Sequence, residues 1–84
     1  MLARAVQETA LHFQETLIEA ALADRRGEQQ ALTRADVYLT KLRFYLRLCQ
    51  DLEIIDRRRY RHVSEMVAEI GRLLGGWRKK AFGA

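Results

Sequence analysis

The densest charge in the sequence is Arg57-Arg58-Arg59 followed by Arg61. Guanidinium groups in such a cluster bind anions, because their planar forks make charge-assisted, often bidentate hydrogen bonds to phosphate or carboxylate oxygens. Asp56, directly before the cluster, marks a helix start, so the arginines fall in a first turn where cations are unfavourable by roughly 0.3–1 kcal/mol each. A sequence that breaks a local rule in this way points to a compensating function. The helix N-terminus and the guanidinium groups would together attract phosphate. The alternative is a solvated turn whose arginines pair with Glu53 or with acids on a neighbour.

Arg43 and Arg47 stand one helical turn apart, and Arg72, Arg78, Lys79 and Lys80 add positive charge further on. A nucleic-acid backbone could track such a surface, with salt-sensitive affinity and no base specificity. The alternative is ordinary solubilising charge. The candidate nucleic-acid-binding set is therefore Arg43, Arg47, Arg57, Arg58, Arg61, Arg72, Arg78 and Lys79. Gly71, Gly75 and Gly76 interrupt a helical pattern at a cost of about 1 kcal/mol each. Their spacing matches no phosphate loop or dinucleotide fingerprint and no strand precedes them. Close approach of another helix at Gly71 and Gly75 is the expected reason.

His12 and His62 lack carboxylate or nucleophile partners at recognisable spacing, so no acid–base or triad chemistry is expected and no catalytic residue is assigned. Cys49 lies on an apolar stripe and reads as a buried structural thiol. A single cysteine permits no internal disulfide, and no Cys/His cluster has zinc spacing. Neither metal nor cofactor is expected, and the compartment expected is the reducing cytoplasm. Trp77, Tyr45 and Phe44 could stack on bases, although aromatic residues at helical spacing usually belong to a core.

The elements that must position these residues are helices. The chain has 84 residues, no proline and 49% hydrophobic residues, enough for one domain spanning residues 1–84. Its opening residues carry charges and give no apolar run of signal or membrane-spanning length. The fold class expected is all-α, an antiparallel bundle with helices over about 2–26, 28–52 and 57–80. Val6, Ala10, Phe13, Leu17 and Ala20 form one row of the first helix, with Leu11, Ile18 and Leu22 beside it. Asp24-Arg25-Arg26-Gly27 reads as its end, with Gly27 in a left-handed cap.

The second helix is expected to start between Glu28 and Thr33, the latter heading a Thr33-x-x-Asp36 pattern like a capping box. Its stripe is Leu32, Ala35, Leu39, Leu42, Leu46 and Cys49. Asp56 caps the third helix, with Ile55 and Tyr60 in hydrophobic-staple positions. That helix carries Tyr60, Val63, Val67, Ile70, Leu74 and Trp77 and is expected to fray after Lys80. The broad apolar faces suggest that the outside of one protomer is buried against another in a homo-oligomer. Charge is uneven. Residues 28–84 hold twelve basic and seven acidic side chains, a net +5, against −1 for residues 1–27.

Leu42-Arg43-Phe44-Tyr45-Leu46-Arg47-Leu48, Tyr60-x-His62-x-Ser64-Glu65 and Glu69-Ile70-Gly71-Arg72-Leu73-Leu74-Gly75-Gly76-Trp77 together resemble the accessory variability determinant (Avd) family of diversity-generating retroelements. That family belongs to a wider four-helix-bundle group that includes proteins encoded in ribosomal RNA intervening sequences. The resemblance implies a four-helix protomer in a basic, barrel-like homopentamer that binds a reverse transcriptase and its template RNA and supports mutagenic complementary-DNA synthesis. The polymerase chemistry would be the partner's. By position, Arg43, Arg47 and Arg72 match basic residues of the family motifs, and Gly71, Gly75 and Trp77 match its structural signature. The family ordinarily has a helix before the one starting near Leu2. Its absence would leave apolar surface on the other three open to a partner.

The function expected is a non-enzymatic subunit binding a reverse transcriptase and RNA or DNA. The alternative is a structural helical adaptor of the intervening-sequence type, whose basic residues complement an acidic protein rather than nucleic acid.

Overall fold

Alternating steps of three and four apolar residues give three helices, α1 (Leu2–Leu22), α2 (Arg25–Asp51) and α3 (Arg57–Gly83), in a computed structural model that describes residues 1–83. Among the described residues there is no strand, and no helix is long and apolar enough to cross a membrane. The helix α2 is the centre of the fold. All six residues of its expected stripe, Leu32, Ala35, Leu39, Leu42, Leu46 and Cys49, are buried, together with Ala31. Phe13 and Ala20 of α1, and Val67, Leu74 and Ala81 of α3, complete the core around it.

Both neighbours run antiparallel to α2. Glu19 pairs with Arg34 at 2.5 Å across the first hairpin. Across the second, Gln29 Nε2 donates to the Ala81 carbonyl at 2.7 Å, and Trp77 Nε1 donates to Glu28 Oε2 at 2.9 Å. Among the described residues, no Cα of α1 comes within 8 Å of a Cα of α3. The helices therefore form an open layer, 42 × 22 × 14 Å in its Cα extents, and the contact that would close a bundle is not made within the chain. One face of the layer keeps a groove over α2 of about 390 Å³, with Phe13 and Leu17 on one wall, Leu39 and Leu42 on the floor, and Leu73 and Trp77 on the other wall.

The two turns correct the expected boundaries. The helix α1 ends at Leu22, and Ala23 is extended at φ −89° and ψ 166°. Asp24 is the N-cap of α2, its Oδ1 accepting from Gly27 N at 2.8 Å, so α2 begins at Arg25 rather than between Glu28 and Thr33. Gly27 is helical, not a left-handed cap, and no glycine among the described residues has positive φ. Its lack of a side chain is still required, because a Cβ there would lie 2.8 Å from that of Ala23. Thr33 heads no capping box; its hydroxyl donates to the Gln29 carbonyl inside α2.

At the other turn Ile54 N donates to Cys49 O at 2.8 Å and Glu53 N to Gln50 O at 3.0 Å, the paired bonds of a Schellman ending. That ending needs a left-handed residue, and Glu53 supplies it at φ 58°. A side chain in this conformation costs roughly 1–2 kcal/mol. Glu53→Gly is therefore expected to raise the stability of the chain by about 1 kcal/mol, read as a higher urea midpoint. A lower midpoint would contradict the strain.

As expected, Asp56 caps α3, with Oδ1 accepting from Arg59 N at 2.7 Å. The helix runs to Gly83 instead of fraying after Lys80; the part of that expectation concerning Ala84 lies outside the described residues.

Candidate nucleic-acid interface

Counting along α3 in steps of four and three from Arg57 gives Arg61, Ser64, Ala68, Gly71, Gly75 and Arg78. This row lies beside the apolar stripe that packs on α2. Its middle consists of small residues, and two crevices open beside its Arg57 end. One crevice of about 180 Å³ is lined by Arg43, Leu46, Tyr60, Ser64 and Val67. A wider, more open one of about 430 Å³ is lined by Arg57, Arg61, Tyr60, Ser64, Gln50, Glu65 and Ala68. They adjoin at Tyr60 and Ser64, with Arg43 lining the first and Arg57 and Arg61 the second.

Arg43 reaches this seam from α2. Its guanidinium lies against Gly71, where a Cβ would collide with Nη2 and would sit 3.6 Å from Cζ. The close approach expected at Gly71 is thus made, but by an arginine tip rather than by a helix backbone. At Gly75 it is not made among the described residues, since no atom of another helix lies within 4 Å of where a Cβ would stand. Trp77 is half-buried against the core and tied to Glu28, a structural use of its ring.

Ion pairing divides the candidate arginines. Arg47 pairs with Asp51 at 3.2 Å, and Arg72 pairs with Glu69. The hydrogen bond and charge of Asp51, with a smaller contribution from Tyr60, hold the Arg47 guanidinium above its ordinary pKa. Arg78 lies 3.6 Å from Asp36, with its guanidinium 5.9 Å from the centre of the Phe82 ring. Arg59 contacts its capping residue Asp56 at 4.0 Å. Arg43, Arg57, Arg58, Arg61 and Lys79 have no carboxylate within 4 Å among the described residues. Arg43 lines one of two adjoining crevices and Arg57 and Arg61 the other, whereas Arg58 and Lys79 are exposed and line neither. Among the described residues, no arginine of the 57–61 cluster pairs with Glu53, the first of the two acidic partners expected for it.

His12 stacks at a tilt on Tyr38, with ring centroids 5.4 Å apart. Cys49 is buried, as its place on the stripe requires. Phe44 is exposed and contacts Tyr45 edge to face. Tyr60 and Ser64 were not legible as site residues; the signal that finds them is their position relative to Arg57 and Arg61 on one turn-by-turn row.

Two sequence blocks thus meet across the seam, Leu42–Leu48 on α2 and Glu69–Trp77 on α3, with Arg43 of the first seated on Gly71 of the second. A family model described as bAvd-like matches residues 1–81. The chain belongs to the bAvd-like family. No curated protein and no solved structure matches it. The bAvd-like family is one of accessory, non-catalytic proteins, which suggests an accessory role here. In this bAvd-like chain the two blocks carry the core residues Leu42, Leu46 and Leu74 and the crevice residue Arg43.

Proposed function

We propose that the chain is a non-enzymatic accessory subunit of a diversity-generating retroelement. It binds template RNA or DNA on its basic α2/α3 face and acts beside a reverse transcriptase in the cytoplasm. The observation that carries this reading is that three arginines with no carboxylate partner among the described residues, Arg43, Arg57 and Arg61, line two adjoining crevices of a bAvd-like chain. Guanidinium groups without intramolecular partners retain their full capacity for phosphate oxygens. Family membership supports the reverse-transcriptase half. The subunit works as a homo-oligomer, a pentamer by resemblance. In support, Leu11, Ile18 and Leu22 form an exposed row on α1, and Leu73 stands exposed at the open groove.

Co-purification of a tagged chain with a retroelement reverse transcriptase, with and without nuclease, tests the proposal. The expected result is a complex in which RNA is retained until nuclease is added. Absence of the polymerase from the eluate under both conditions would contradict it. The adaptor reading is favoured by one observation, the apolar groove between α1 and α3, which suits a helix better than a phosphate. Polymerase association that persists while the chain retains no RNA at low salt would put that reading first.

A further inference from the structure

We propose that the inner crevice on the α2/α3 seam is a seat for one backbone phosphate of nucleic acid, with Gly71 as the residue that positions Arg43 beside it. This rests on the nucleic-acid reading above and goes beyond it by naming a discrete site. The inner crevice is lined by three residues whose side chains can donate to phosphate, Arg43, Tyr60 and Ser64. Leu46 and Val67 line it as apolar walls. At about 180 Å³ it has room for a phosphate group and a few waters, each water needing about 30 Å³. Arg57 and Arg61 edge the adjoining depression and supply long-range attraction. Glu65 also edges that depression and opposes it, so the inner crevice, which Glu65 does not line, is the better place for an anion.

Gly71 decides where Arg43 sits. Alanine is the better helix former, and an added Cβ would meet Leu39 Cδ2 at an ordinary 3.6 Å, so the backbone gives no reason for glycine. The one serious collision is with the tip of the Arg43 side chain. A flexible tip moves more easily than a packed helix. Alanine at this position would therefore leave α3 in place and push the guanidinium off its seat. A glycine kept for helix packing would behave in the opposite way, losing stability on substitution.

The test compares the unmodified chain with Gly71→Ala, Arg43→Ala and the double variant, by fluorescence anisotropy of a short structured RNA and by thermal melting. Gly71→Ala is expected to weaken RNA binding roughly three- to tenfold, as for loss of one exposed charge-assisted contact, while melting at or above the unmodified chain. In the Arg43→Ala background it should cause no further loss. Binding unchanged in Gly71→Ala, or an equal loss whether residue 43 is arginine or alanine, would overturn the positioning role. Tyr60→Phe and Ser64→Ala test the seat without touching the glycine; unchanged RNA affinity in both would overturn it even if Gly71→Ala did not fold. Inorganic phosphate, followed through the amide resonances of Ser64 and Gly71, separates the site from its ligand. Phosphate shifts that vanish in Arg43→Ala support the seat, and if they occur in a chain that ignores RNA, the nucleic-acid reading falls while the seat stands.

Discussion

Replacing Arg43, Arg57 and Arg61 together by glutamate is expected to abolish RNA retention at moderate salt. Each phosphate contact contributes about 0.9 to the slope of log affinity against log salt on a duplex and about 0.7 on a single strand. Removing three contacts takes about 2 to 3 from that slope and lowers low-salt affinity on the order of a hundredfold or more, since the new carboxylates also repel phosphate. The fold should not suffer. All three side chains are exposed, and among the described residues none has an ion-pair partner to lose. Glutamate at positions 57 and 61, in the first turns of α3, also suits the positive end of the helix dipole better than arginine. The variant should melt at or above the temperature of the unmodified chain while losing RNA. Full RNA retention in a folded variant would move the interface elsewhere on the molecule.

Leu39→Ala is expected to have the largest effect on stability. Leu39 is 1% exposed and sits on the helix that both neighbours share, flooring the groove and touching the Gly71 position of α3. Truncating such a leucine costs about 3 kcal/mol with the cavity it leaves. A chain of this length has about 4–13 kcal/mol of stability in all. The urea midpoint should therefore fall sharply, with cooperative folding close to its limit. Ile18→Ala provides the contrast. At 60% exposure it is nearly neutral in an isolated chain, but costs stability, in a concentration-dependent way, if the α1 row is covered by another copy. Equal losses from the two substitutions at every concentration would contradict the core described here.

Much of the fold was legible because helical periodicity reports which face of a helix is buried. The α2 stripe is the clearest case, with every residue from Leu32 to Cys49 on it buried, and Asp56 announced α3 correctly. Periodicity does not report which neighbour covers that face. The same stripes serve a closed bundle or the open layer found here. The first turn was ambiguous for a different reason: Asp24-Arg25-Arg26-Gly27 reads as a helix end through its arginines and as a helix start through Asp24, and the side-chain bond to Gly27 N decides for the start.

The site was legible as charge and illegible as geometry. Arg43, Arg57 and Arg61 stood out as basic residues in the sequence. That the first of them rests on Gly71 depends on the register between two antiparallel helices, to which neither helix alone holds a clue. Likewise Arg47, Arg72 and Arg78 carried the same sign in the sequence, and only their carboxylate neighbours Asp51, Glu69 and Asp36 distinguish them from the unpaired set.

The most direct measurement is the affinity of the unmodified chain for a structured RNA across a series of salt concentrations. Arg43, Arg57, Arg61 and the partly committed Arg78 predict a linear fall of log affinity with log salt, with a slope of about −3 to −4 per chain. No binding at the lowest salt, or binding indifferent to salt, would contradict a basic nucleic-acid face and leave the chain a helical adaptor.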